Sequence, residues 1–111
     1  QKMNLDKETQ EKIQELQSYE QTLHSLLIQK QAFQIELTET ENAFLEIGNS
    51  KDDIFKLIGN IMVKAEKKKV EEELKRKKGL LSLRLKSIES QESSLINKAE
   101  ELKKEVMKKI K

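Results

Sequence analysis

The chain has no cysteine, no proline and no tryptophan, and only three glycines among its 111 residues. Without cysteine, a disulfide framework, a thiolate metal site and a thiol nucleophile are all excluded, and a reducing, cytoplasmic setting is expected. Without proline, and with glycine so scarce, long uninterrupted helices become possible. Aromatic residues are equally thin: Tyr19, Phe33, Phe44 and Phe55 complete the set. A globular domain of this length draws on more of them for its core, so the core expected here is a narrow seam. No apolar run approaches the roughly 18 residues that a membrane-spanning helix needs, and the N-terminus lacks the charged-then-apolar layout of a secretory signal. An unexported chain with no membrane partner is expected, with Met3 a candidate native start because the first residue is Gln1.

What is abundant is charge, 38% of the residues, with a net of +2 that conceals an asymmetry. Residues 1–50 carry 4 lysines and 9 acids, net −5, while residues 51–111 carry 18 Lys or Arg and 11 acids, net +7. The two halves should attract each other. The one histidine, His24, has no cysteine or clustered carboxylate at ligand spacing, and no metal or catalytic role is read for it. Asp52 and Asp53 read as turn residues rather than as an acid–base pair. There is no glycine-rich phosphate loop, so nucleotide binding has no support, and without convergent catalytic groups neither an enzyme nor a cofactor is expected.

Steps of four and three alternate through Leu5, Thr9, Lys12, Leu16, Tyr19, Leu23, Leu26, Lys30, Phe33, Leu37, Thr40, Phe44 and Ile47, and nine of these thirteen are apolar. That is a coiled-coil seam over residues 5–47, about 65 Å of helix. Gly48 and Asn49 supply an expected left-handed stop. A second seam, within a helix expected over 68–110, runs through Leu74, Lys78, Leu81, Leu85, Ile88, Glu92, Leu95, Ala99, Leu102, Val106 and Lys109, eight of eleven apolar. Gly79 lies off this seam and reads as an exposed lapse, costing about 1 kcal/mol relative to Ala, rather than as a hinge. Serines 87, 90, 93 and 94 read as a solvated face.

Antiparallel pairing requires facing residue numbers to have a constant sum. Leu16 with Leu102, Leu23 with Leu95, Lys30 with Ile88, Leu37 with Leu81, and Phe44 with Leu74 satisfy it, as do Phe33 with Leu85 and Tyr19 with Ala99. Leu26 facing Glu92, and Lys30 facing Ile88, are local flaws in this register; the Lys30 stem can lie on the seam while its ammonium reaches water.

A helical hairpin needs only about two to eight connecting residues, and this chain uses about twenty. Ile54, Phe55, Lys56, Leu57 and Ile58, then Gly59 and Asn60, then Ile61, Met62, Val63, Lys64 and Ala65 read as two short strands around a type II′ turn, over 53–65. Ile58 then faces Ile61, Lys56 faces Val63 and Ile54 faces Ala65 on one side, with Leu57–Met62 and Phe55–Lys64 on the other. A lone ribbon apolar on both faces invites further strands at its edges. The fold expected is therefore mostly α, a single unit over 1–111: a long antiparallel two-helix coiled coil with one β-hairpin between the helices. The basic cluster Lys64, Lys67, Lys68, Lys69, Lys75, Arg76, Lys77 and Lys78 has the charge density that a nucleic-acid patch needs. Glu66, Glu71, Glu72 and Glu73 interleave with it and no aromatic platform accompanies it, which weighs against nucleic acid as a partner.

This layout resembles the archaeal prefoldin beta family over nearly the whole chain. Phe55 to Lys64 is similar to that family's aromatic-Lys-x-x-Gly-x-x-hydrophobic-Val signature, with Phe55 where many relatives carry Tyr, so the ring is kept and the hydroxyl lost. Val70 to Leu74 and the stretch Gln91, Glu92, Ser93 are also similar. The resemblance implies an ATP-independent chaperone subunit in a heterohexamer of two alpha-type and four beta-type subunits. In it, the hairpins join an intersubunit β-barrel platform through Ile54, Phe55, Leu57, Ile58, Gly59, Ile61, Met62 and Val63. It further implies arm tips that hold non-native polypeptide and deliver it to a group II chaperonin. The register leaves Met3 and Leu5 overhanging and sets Val106, Met107 and Ile110 against Lys12, Glu11 and Glu8, so these five form the expected client-binding tip. The alternatives are a structural coiled-coil tether and a nucleic-acid-binding arm.

Overall fold

The structure is a computed structural model and describes residues 6–110. Helix α1 (Lys7–Asn49) is followed by strands β1 (Ile54–Ile58) and β2 (Ile61–Ala65) and by helix α2 (Lys67–Ile110). Two long helices with one antiparallel hairpin between them make the mostly helical fold that the periodicity predicts. The expected first position of α1, residue 5, lies outside the described residues; its last turn continues past residue 47 to Asn49.

Close contacts gather into two units, one made by the described residues up to Gln31 with those from Lys86 on, the other by Ala32–Leu85. In the first, Leu26, Ile88, Ala99, Leu102 and Val106 are buried, flanked by half-buried Leu16, Tyr19, Leu23 and Leu95. In the second, Leu81, Leu85 and Val70 are buried against the half-buried Phe33, Leu37, Phe44, Ile47 and Leu74. Every α1 seam position from Thr9 to Ile47 is at least half-buried, whereas Lys78 and Lys109 on α2 are exposed. Val70 extends the second seam by a turn that the alternation starting at Leu74 did not include. Two polar seam residues of α1, Thr9 and Thr40, are buried, and Thr40 is satisfied within its own helix by donating its hydroxyl to the Glu36 carbonyl at 2.7 Å. Ion pairs flank each unit: Lys109–Asp6 and Lys12–Glu105 in the first, Lys77–Glu36 and Lys78–Glu41 in the second. The Arg84 guanidinium lies over the Phe33 ring, 5.6 Å from its centroid. Gly79 sits exposed within an unbroken α2, and a Cβ there would meet nothing beyond its own helix within 4 Å.

The two expected flaws in the register resolve into one contact. Lys30 reaches along the seam to Glu92, Nζ to Oε1 at 2.9 Å, with the Glu92 side chain only 15% exposed. A polar pair inside an apolar seam fixes which layers can face each other, because any slipped register leaves both charges unpaired. Lys30→Met is accordingly expected to destabilise the chain by about 1–2 kcal/mol, between the exposed and buried limits for ion pairs. Lys30→Met with Glu92→Leu should recover most of that loss. Urea denaturation of the single and double variants measures it, and equal losses in both would deny the pair any part in stability.

The helix ends are closed by different means. At the start of α1, the Thr9 N–H donates to the Asp6 carboxylate at 2.7 Å and the Gln10 N–H to the Asp6 carbonyl at 3.1 Å, so Asp6 is the N-cap. The bonds from Thr9, with the Lys109 ammonium adding to them, hold the Asp6 carboxyl below its ordinary range. A depressed carboxylate contributes stability that is present above its unfolded-state pKa and lost as the pH falls through the folded value. Asp6→Asn keeps the cap without the titration, so its helical signal should fall less on acidification than that of the parent chain. Superimposable acid titrations would show that the cap charge contributes nothing.

At the other end of α1 the left-handed stop expected from Gly48 and Asn49 is absent. Among the described residues no non-glycine residue has positive φ, and Gly48 is helical. The Ser50 N–H donates to the Ile47 carbonyl at 3.2 Å in a tightened last turn, and Lys67 places its ammonium on the carbonyls of Gly48 (3.2 Å) and Ser50 (3.1 Å). A cation on the terminal carbonyls does what the αL residue would have done, and it also opposes the negative end of the helix dipole.

Candidate functional site

The hairpin turns at Gly59, whose φ is +60°, while Asn60 has negative φ. Positive then negative φ over the two central residues is the type II′ turn, whose twist suits the flanking strands. Strand pairing is Ile54↔Ala65, Phe55↔Lys64, Lys56↔Val63, Leu57↔Met62 and Ile58↔Ile61, the register expected from the turn.

Alternation along these strands divides the side chains between two faces. On one, Ile54, Lys56 and Ala65 are half-buried and Ile58, Ile61 and Val63 are exposed. Lys56 donates to Glu73 of α2 at 2.7 Å, which ties this face to the first turns of that helix and holds the Glu73 carboxyl below its ordinary range. The other face is open throughout: Leu57 is 71%, Met62 67% and Phe55 52% exposed. Lys64 at its margin pairs with Asp53 at 3.6 Å. The sheet has two strands, so among the described residues both outer edges lack a strand partner. Six large apolar side chains and two rows of free backbone groups in twelve residues make a surface that gains from further strands. The signal for the Lys56–Glu73 tie was the one charge on an otherwise apolar hairpin face, but its partner lies beyond any local spacing.

The expected tip residues separate. Met3 and Leu5 lie outside the described residues. Met107 is 51% exposed and Ile110 is also exposed. Val106 is not a surface residue: it is 7% exposed, which corrects its place among the tip residues. The register sets Lys12 across from it, and the stem of that half-buried lysine can cover the seam while its ammonium reaches Glu8 (3.3 Å) and Glu105 (3.4 Å) on either side. These bonds, the one to Glu8 first, raise the Lys12 pKa. Fully buried Thr9 closes the same end of the seam.

Five of the eight cations in the basic cluster are engaged within the chain: Lys64 with Asp53, Lys67 with two carbonyls, Lys69 with Glu66, Lys77 with Glu36 and Lys78 with Glu41. Among the described residues no group of His, Cys, Asp or Glu could hold a metal ion, and no helix is long and apolar enough to cross a membrane.

Comparison with known proteins gives this arrangement a context. The pattern of the family described as prefoldin subunit matches residues 10–111. The prefoldin subunit beta of Thermococcus kodakarensis is 40% identical over 101 residues, 89% of this chain and 86% of the relative, and that of Pyrococcus furiosus is 37% identical with the same coverage. The crystal structure of the prefoldin beta subunit from Thermococcus strain KS-1 superposes with a TM-score of 0.90 at 34% identity, covering 99% of this chain and 98% of that one. A hairpin apolar on both faces between two long helices, a family match over nearly the whole chain and relatives of this identity together show that the chain belongs to the prefoldin subunit family, as a subunit of the beta type.

Proposed function

We propose that the chain is one subunit of an ATP-independent holding chaperone, assembled with alpha-type partners and further beta-type copies in a heterohexamer in the cytoplasm. The observation that carries this reading is the hairpin. Phe55, Leu57 and Met62 on one face and Ile58, Ile61 and Val63 on the other are too apolar to be left in water, and the free strand edges suit closure into a β-barrel with hairpins of other subunits. Ile54 and Gly59 complete the set, the first at the base of the ribbon and the second at its turn.

The two helices then serve as an arm. Its chain-end surface, with Met107 and Ile110 among the described residues and Met3 and Leu5 beyond them, holds non-native polypeptide and passes it to a group II chaperonin. Methionine suits such work because its flexible, polarizable side chain adapts to many shapes. No catalysis and no cofactor enter this reading.

The test uses the complex formed with an archaeal prefoldin alpha subunit. It should suppress aggregation of a chemically unfolded client equally with and without ATP and magnesium, and the held client should then appear on an added group II chaperonin. A tenfold dependence on ATP, about 1.4 kcal/mol of coupling, would contradict it.

A further inference from the structure

The last turns of α2 sort their charges. Glu105 faces α1 and pairs with Lys12, and Lys109 pairs with Asp6. Glu101 and Glu105 line one shallow depression together with Glu15, Tyr19, Lys98 and Leu102. A second depression, of about 350 Å³, is lined by Lys103, Lys104, Met107 and Lys108 alone. None of these three lysines has an ion-pair partner among the described residues. Exposed Met107 thus stands inside a collar of three ammonium groups that make no ion pair among the described residues, although Glu100, Glu101 and Glu105 each lie one helical turn back from one or more of these lysines.

Taken on the reading that this surface captures non-native polypeptide, we infer that the collar selects among clients: the preferred occupant is an extended segment in which an apolar side chain is flanked by carboxylates. An apolar side chain can settle against the Met107 thioether, and carboxylates on either side of it fall within reach of the lysine ammoniums. A segment bearing lysine or arginine at those places meets like charge and is disfavoured. The lysine stems are flexible, so the collar imposes a charge preference without demanding one sequence. Such discrimination is electrostatic and exposed, so it weakens as salt shortens the screening length from about 30 Å at 0.01 M to about 8 Å at 0.15 M.

The experiment uses the full chain assembled with its alpha-type partner and three labelled unfolded peptides of equal length and apolar content. Their residues flanking each leucine or phenylalanine are Asp and Glu, Lys and Arg, or Ser and Gln. Binding is followed by fluorescence anisotropy at low and at physiological salt. The expected result at low salt is at least about tenfold tighter binding of the acidic than of the basic peptide, narrowing with added salt. Lys103→Gln with Lys104→Gln and Lys108→Gln should abolish that preference while leaving the neutral peptide bound as before; glutamine keeps the helix propensity of lysine, so α2 should persist. Equal binding of all three peptides to the parent complex, or a preference that survives the triple substitution, overturns the charge selection and leaves capture standing. Failure of every peptide to bind overturns both. Loss, in the triple variant, of binding to phosphatidylglycerol vesicles or to a single-stranded oligonucleotide, with no change toward the peptides, would assign the collar to an anionic surface instead and so overturn it.

Discussion

Val63→Asp and Gly59→Val should each leave the helices intact and abolish assembly with an alpha-type partner. In the isolated chain Val63 is exposed on the half-covered face of the ribbon, so a carboxylate there remains hydrated and costs little. Its effect appears when that face is buried among other hairpins, where an unpaired charge costs several kcal/mol, enough to remove most of a micromolar association. Gly59 works through the backbone. Its φ of +60° is one that L side chains rarely adopt, yet nothing lies within 4 Å of where a Cβ would stand. The penalty for valine is therefore conformational, roughly 1–2 kcal/mol or more for a β-branched residue, and it falls on a two-stranded ribbon that is only marginally stable by itself. Circular dichroism should show unchanged helix, and native mass spectrometry should show free subunits. Normal complexes from both variants would remove the hairpin from assembly.

Met107→Ser with Ile110→Ser should sharply reduce protection of an unfolded client without affecting assembly. Each side chain can contribute up to roughly 1.5–3 kcal/mol if a client buries it fully, and a wet, adaptable contact realises much less. Several arms acting together multiply such weak contacts into useful avidity, so losing two apolar groups from every beta-type arm is felt more than once. Met3→Ser and Leu5→Ser are tested as a separate pair, because they come from the other end of the chain. Val106→Ser is the informative control. Val106 is buried in the seam, so its replacement should lower the stability of the chain by roughly 2 kcal/mol rather than selectively impair capture. Undiminished protection by the Met107 and Ile110 double variant, with assembly intact, would move capture to another surface of the complex.

The difference between Val106 and Met107 also marks how far the sequence could be read. Alternating four-and-three spacing located both seams, and a two-residue turn with glycine first determined the register of the hairpin, because these signals are local and periodic. Lys12 stands opposite Val106 in the register of the seams, and its charge alone gives no sign that it covers an apolar neighbour. A lysine has a long aliphatic stem, and with Glu8 and Glu105 flanking the seam it can cross it and still place its charge outside. Lys30 and Glu92 show the same property from the other side, since two polar positions a turn apart in the register form one ion pair. The end of α1 departs from its local signal for a different reason. Gly48 and Asn49 are a local stop signal, but the carbonyls there are satisfied by Lys67, a residue that becomes their neighbour only once the hairpin has folded back. The collar of Lys103, Lys104 and Lys108 was likewise invisible in a run of mixed charge, because which lysines are left without partners depends on which acids face α1.

Native mass spectrometry of this chain mixed with an archaeal prefoldin alpha subunit tests the central claim most directly, since it asks whether the apolar hairpin joins a platform made by several subunits. The predicted spectrum is dominated by a complex of two alpha-type and four beta-type chains, lost with Val63→Asp. A spectrum of separate subunits from the unaltered chain, at concentrations where both are folded, would contradict it.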